Sequence, residues 1–122
     1  MISQRDILLL KFPFSDLGGS KVRPALVISN DQYNARAEDF IAVAITSNLK
    51  TRGLSILVTN DDLEKGRLIV QSKIKPDKIF SASKKLVRMN VGKVNENIHQ
   101  KVLRTIWEVI GGNSIHSFDS IY

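Results

Sequence analysis

The chain has 122 residues, 43% of them hydrophobic, which is enough for one sizeable core and too few for two ordinary domains. Cysteine is absent, which excludes a disulfide framework and every thiolate metal site, and no run approaches the roughly 18 to 20 apolar residues that span a bilayer. Eighteen Lys and Arg against twelve Asp and Glu leave a net charge of +6, a balance that speeds encounter with RNA, DNA or an acidic peptide and equally serves plain solubility.

Residues 7–12 form an apolar segment of strand length, closed by Pro13 and by Ser15-Asp16-Leu17-Gly18-Gly19-Ser20, whose Gly and Asp content predicts a loop. Residues 24–29 and 40–46 are short apolar runs rich in β-branched side chains. Between them Asn30-Asp31-Gln32-Tyr33-Asn34 supplies turn chemistry or a single helical turn. Residues 54–59 continue the strand pattern, Asn60-Asp61-Asp62 breaks it, and residues 67–74 resume it after Gly66. From 77 to 94, Ile79, Phe80, Leu86, Val87, Met89, Val91 and Val94 fit either short strands or a helical turn. Asn95 caps the clearest helix, in which Ile98, Val102, Ile106, Val109 and Ile110 recur at three and four residues until Gly111-Gly112 stops it. Residues 113–122 are polar with scattered Ile115, Phe118 and Tyr122, a frayed tail or an arm docked on the body. Many short strands followed by one helix predict a mainly β (α+β) barrel, a single domain over residues 1–112. With no cationic start leading into an apolar run and a small-residue cleavage site, the chain reads as soluble, unsecreted and cytoplasmic.

Chemistry has few places to sit. Of the two histidines, His99 falls in the first turn of the helix, where exposure is the ordinary expectation, and His116 in the tail, so spacing gives no support to a two-histidine ribonuclease. Neither a Gly-rich phosphate loop nor a nucleophile elbow is present. Asp31, Asp61 and Asp62 read as solvated turn formers rather than metal ligands, so neither a metal nor a cofactor is expected. What stands out is Ser20-Lys21-Val22-Arg23-Pro24, an arginine where a glycine loop meets a strand. Its guanidinium stays charged and offers a planar fork matched to phosphate, although pairing with a surface carboxylate would explain it equally. Thr46-Ser47-Asn48, at the end of another apolar run, presents hydroxyls and an amide, or simply a turn.

Taken together, Ile7-Leu8-Leu9-Leu10, Phe12-Pro13-Phe14-Ser15, the Gly-Gly loop, Lys21-Val22-Arg23-Pro24-Ala25-Leu26-Val27-Ile28-Ser29 and Val43-Ala44-Ile45-Thr46-Ser47 resemble the MazF/PemK toxins. Ser72, Asp77-Lys78-Ile79, Leu86, Gly92-Lys93-Val94 and the closing helix extend the likeness over roughly residues 4–112. The resemblance implies an SH3-like barrel of MazF/PemK/CcdB type with short helices and a C-terminal helix. It also implies a homodimer that cuts single-stranded RNA at short sequences and an antitoxin partner whose acidic tail covers the RNA groove. Arg23 matches the family's catalytic arginine and Thr46 its catalytic hydroxyl residue, with Ser47 completing the motif. The chain has Ala44 where members often carry Pro, and Asp77-Lys78-Ile79-Phe80 where they carry Asp-Gln-Ile-Arg or Glu-Gln-Ile-Arg, departures that spare the catalytic pair.

Without metal or histidine pair, the RNA's own 2′-hydroxyl is the simplest nucleophile, which gives a 2′,3′-cyclic phosphate. Arg23 would stabilise the phosphoryl charge and Thr46 would hold the phosphate or orient the 2′-hydroxyl. Base recognition is placed on Phe14, Ser15, Lys21, Ser47, Asn48, Asp77 and Lys78. A CcdB-like toxin directed at a topoisomerase and an RNA-binding module that does not cut are the alternatives.

Overall fold

The structure, a computed structural model describing residues 1–14 and 19–112, is a single antiparallel sheet with two helices. Its strands are β1 (Asp6–Phe14), β2 (Gly19–Val27), β3 (Asp39–Thr46), β4 (Ile56–Val58), β5 (Leu63–Gly66), β6 (Ser72–Ser83) and β7 (Val87–Val94), in the spatial order β4-β6-β3-β2-β1-β7-β5. The sheet curls as a half-barrel with β4 and β5 at its two edges, so it is open rather than a closed barrel. The expected tail, with His116, lies outside the described residues, as do residues 15–18.

The apolar runs that lacked alternation in the sequence are strands buried on both faces. On the first face Ile7, Leu26, Val43, Ile45, Val58 and Ile74 pack under Ile98 and Val102 of helix α2 (Glu96–Ile110). On the second, Leu8, Leu10, Ala25, Val27, Phe40, Ala42 and Ala82 form a separate cluster, edged by Phe12 and Phe80 with ring centroids 5.8 Å apart. Helix α2 starts where expected: Asn95 accepts from the Ile98 N–H at 2.9 Å, and Glu96 follows in the first turn, where the helix dipole favours an anion. It stops at Gly111, whose N–H reaches Trp107 O at 2.7 Å before Gly112 turns the chain at φ 86°. The short helix α1 (Asp31–Arg36) resolves the turn-or-helix question at 30–34, with Asn30 capping Tyr33 N at 2.8 Å.

Several boundaries differ from the sequence reading. β2 begins at Gly19 rather than Pro24, because β1 supplies ladder partners back to Phe14↔Gly19; Arg23 is therefore inside a strand and not at its start. Residues 67–71 are not strand. β5 ends at Gly66, at φ 79°, and Asn60 then holds Leu68 through both its side-chain amide groups, at 2.7 and 3.2 Å, occupying the place a partner strand would take. Ile69 and Val70, which carried the strand signal, are exposed. The ambiguous 77–94 region is strand β6, a 3-10 turn at Lys84–Leu86 and strand β7.

His99 also departs from expectation. It is buried at 2% relative exposure, and its Nδ1 has no hydrogen-bond partner among the described residues. Burial pushes the imidazole below its ordinary range, Glu96 opposes that shift and Arg5 adds to it.

Two stability predictions follow from these packings. A Cβ on Gly66 would lie 2.1 Å from Val91 O, so Gly66→Ala should lower unfolding free energy by at least about 2 kcal/mol in urea titrations. The unfolded chain takes a proton at His99 near pH 6.5 while the folded chain resists it, so that contribution is whole above 6.5 and is lost as pH falls below it. His99→Gln should accordingly flatten the decline in melting temperature on acidification from about pH 7 to 5.5, measured against the wild type.

Candidate nucleic-acid interface

Antiparallel registers decide which side chains share a face, since directly opposed residues point the same way. Leu10 faces Arg23 and Phe12 faces Lys21 across β1 and β2; Thr46 faces Lys73, and Ala44 faces Lys75, across β3 and β6. The β2–β3 ladder runs from Val27↔Ala42 to Ala25↔Ala44 and ends there, with Arg23 two residues beyond it on β2 and Thr46 two residues beyond it on β3. On the second face Leu10 thus pairs with Arg23 on one side of the ladder's end, and Thr46 with Lys73, followed by Leu57 of β4, on the other. Arg23 and Lys21 are exposed, and Thr46 and Lys73 are half-buried.

Thr46 is the last residue of β3, and its Oγ1 accepts from the Asn48 N–H at 3.1 Å. With one lone pair engaged by the backbone, the hydroxyl keeps its proton for a ligand oxygen, which makes Thr46 a donor at this surface. Asn48 organises the turn that follows: its Oδ1 accepts from Lys50 N at 3.0 Å and its carbonyl from Thr51 N at 3.1 Å. Lys75 then reaches across from β6, donating from Nζ to Arg52 O at 2.6 Å, just before Gly53 at φ 88°. A chain of short contacts therefore runs from the Thr46 hydroxyl to a lysine only 7% exposed.

Of the residues singled out by sequence, Arg23, Thr46 and Lys21 lie on one face at one end of the sheet, and Ser47 and Asn48 follow Thr46 as exposed residues. Asp77 and Lys78 are exposed in a bulge of β6, between Lys75, opposite Ala44, and Ile79, opposite Val43. That bulge begins with buried Pro76, which has no N–H to lose from the ladder. Phe14 ends β1 opposite Gly19, four residues and so about 13 Å beyond the Leu10–Arg23 row. Ser15 lies outside the described residues. Lys73 and Lys75 escaped the sequence reading, which ended an apolar strand at Ile74. The alternation Ser72-Lys73-Ile74-Lys75 was the available signal, since a strand puts both lysines on one face.

The ion pairs among the described residues are Arg5 with Glu64 and Glu96, and Lys93 with Asp6; neither Lys73 nor Lys75 faces a carboxylate at pairing distance. No three His, Asp or Glu side chains among the described residues converge as a metal site would need, and no helix is long and apolar enough to cross a membrane.

Residues 3–110 match the family model described as PemK-like, MazF-like toxin of type II toxin-antitoxin system. No curated protein matches the chain in sequence. Among solved structures, a MazE–MazF complex (form II) from Deinococcus radiodurans is similar with TM-score 0.75 and 19% identity, over 91% of this chain and 96% of that one. An endoribonuclease from mycobacterial species follows at TM-score 0.69 and 18% identity, over 90% and 91%. The Mycobacterium tuberculosis toxin MazF-mt6 gives 0.64 and 17%, over 85% and 93%. At such identities these likenesses establish a shared fold.

Because Lys75 holds the Arg52 carbonyl, Lys75→Met should speed amide hydrogen exchange at Lys50 and Thr51 by about tenfold or more while the exchange of β1 and β2 stays put. Hydrogen exchange read by mass spectrometry checks this.

Proposed function

The chain belongs to the PemK-like, MazF-like toxin family of type II toxin-antitoxin systems, and from that membership we propose that it cleaves single-stranded RNA at a site built on Arg23 and Thr46. The observation that supports the reading is their placement: each lies two residues past the last β2–β3 pair on one face, one a cation and the other a hydroxyl whose oxygen accepts from the Asn48 N–H. A phosphate seated between them meets both.

In the proposed reaction the 2′-hydroxyl oxygen attacks the adjacent phosphorus, its proton passing to a base or solvent. The P–O5′ bond breaks, leaving a 2′,3′-cyclic phosphate on one fragment and a 5′-hydroxyl on the other. Negative charge builds on the non-bridging oxygens as the new bond forms. Donors already fixed by strand backbone stabilise that charge without reorganising, and removal of one such donor typically costs about 10²- to 10³-fold in rate. The Arg23 guanidinium supplies positive charge and can pass a proton to the departing O5′; a guanidinium is a poor base. Thr46 donates to a non-bridging oxygen and keeps the phosphate in line.

Base selection falls to the exposed groups Lys21, Ser47, Asn48, Asp77 and Lys78, together with Phe14 at the end of β1 and Ser15. Residues 1–112 act as one barrel domain in a cytoplasmic homodimer. Exposed Trp107, Val109 and Ile110 on the last turns of α2 supply apolar surface that a second copy can cover. The cationic face suits an antitoxin with an acidic tail; similar structures include MazE–MazF complexes and an endoribonuclease with its cognate antitoxin.

Purified protein incubated with mixed-sequence single-stranded RNA in excess EDTA should yield discrete cuts ending in cyclic phosphate, and Arg23→Ala should slow them by about 10²-fold or more. Intact RNA from folded protein would overturn the reading and point to a topoisomerase-directed or RNA-holding toxin.

A further inference from the structure

We propose that Lys73 is a second phosphate-binding cation of the cleavage site, gripping the same phosphate as Arg23 from the opposite side of Thr46. The inference rests on the ribonuclease reading above and adds a residue that neither the family motif nor the sequence reading assigned.

The geometry is that of three consecutive strands. Thr46 is the direct Cα partner of Lys73, and directly opposed side chains in an antiparallel pair have Cβ atoms about 4.5 to 5.5 Å apart. Arg23 holds the corresponding place on the other side of Thr46 once the β2–β3 register is continued. With strands about 4.8 Å apart, an anion bonded to the Thr46 hydroxyl sits midway between two long cationic side chains, each able to reach it. Neither has to leave its strand to do so.

Two features separate this from an ordinary surface lysine. First, edge strands carry lysines to discourage aggregation, but Lys73 is on β6, which is paired on both sides, by β3 and β4. Second, Lys73 is half-buried, yet no carboxylate among the described residues pairs with it; Asp77, the acid nearest in sequence, is exposed on the bulge. A half-buried lysine that folding leaves without a carboxylate partner among the described residues is suited to receive an anion from a ligand. Its next-but-one neighbour Lys75 is committed to the Arg52 carbonyl, so the two lysines divide the work: Lys75 holds the turn and Lys73 faces the anion.

The test compares wild type, Lys73→Met, Lys73→Arg and, in case the first folds poorly, Lys73→Gln. Lys101→Met is the control, since Lys101 is exposed on α2, which packs against the other face. Two quantities are read: the single-turnover cleavage rate at saturating protein, and the salt dependence of binding to the same RNA carrying a 2′-deoxy sugar at the cut. Losing the cation should slow cleavage by about 10²-fold and flatten the slope of log K against log salt by about 0.7, one single-strand phosphate contact. Lys73→Arg should recover most of both, and Lys101→Met should match wild type. Lys73→Met and Lys73→Gln that cleave at the wild-type rate with an unchanged slope would overturn the role of Lys73 while leaving the ribonuclease reading intact. A wild-type protein that cuts nothing would end both.

Discussion

Three residue pairs, Ala25↔Ala44, Leu26↔Val43 and Val27↔Ala42, join the two halves of the sheet, β5-β7-β1-β2 on one side and β3-β6-β4 on the other. Because both faces are buried here, polarity alone cannot fix the register of this ladder; volume does. Leu26 and Val43 fill the face beneath α2, whereas Ala25 and Ala42 leave the second face shallow enough for Phe40, Leu8 and Leu10. A slip of one residue would turn Leu26 into the space beside Phe40 and leave alanines under α2, combining overpacking with a void. The same three pairs leave Arg23 and Thr46 each two residues past the ladder's end on one face, so the volumes of nearby core side chains bear on the proposed site.

Charge is partitioned along the strands. At the Asp6 end, Asp6 pairs with Lys93 and accepts from Ser3 N, while Arg5 binds both Glu64 and Glu96. Arg5 also takes φ 79° and donates to Val94 O, a strained backbone held in place by its side-chain contacts. The hydrogen bond to Arg5 holds the Glu64 carboxyl below its ordinary range. Four residues along β1, roughly 13 Å at strand rise, the row through Leu10 and Arg23 carries cations. Separation of this kind keeps the acidic residues beyond a Debye length, about 8 Å at physiological salt, so they screen the cationic face little. An RNA backbone bound as proposed would therefore be drawn to one end of one face.

The sequence was most legible where a single physical signal decided the outcome. Helix α2 carried its cap, its periodicity and its stop within its own residues, and all three appear in the structure. The apolar runs at β1, β2 and β3 announced strands because both their faces are buried. Residues 67–71 misled because Ile69 and Val70 have strand-like side chains, while what happens there is settled by Gly66 and the Asn60 clamp, eight residues from Leu68. His99 is buried by a sheet that no local spacing reveals. Arg23 and Thr46 were singled out through a family pattern, but their sharing one face is a property of long-range register. Lys73 and Lys75 carry a strand alternation in the sequence, but their place beside Thr46 and Ala44 appears only once β6 is known to pair with β3.

Why the hydroxyl sits where a ladder ends has a physical answer. In mid-strand a threonine faces neighbours whose backbone groups are spent on the sheet, so nothing nearby can orient it. Thr46 ends β3, and the chain turns so that the Asn48 N–H, freed from any strand partner, bonds back to Oγ1. That single contact chooses the direction of the O–H, and it holds only while the turn keeps its shape. Lys75 secures the turn with a charge-assisted bond to Arg52 O, stronger than a neutral one would be, and its burial keeps water from competing for it. Arg23 needs no such support, since its charge and fork geometry are intrinsic. The two parts of the proposed site are thus held by different means, Arg23 by its pairing with β1 and the Thr46 hydroxyl by a turn that a buried lysine secures.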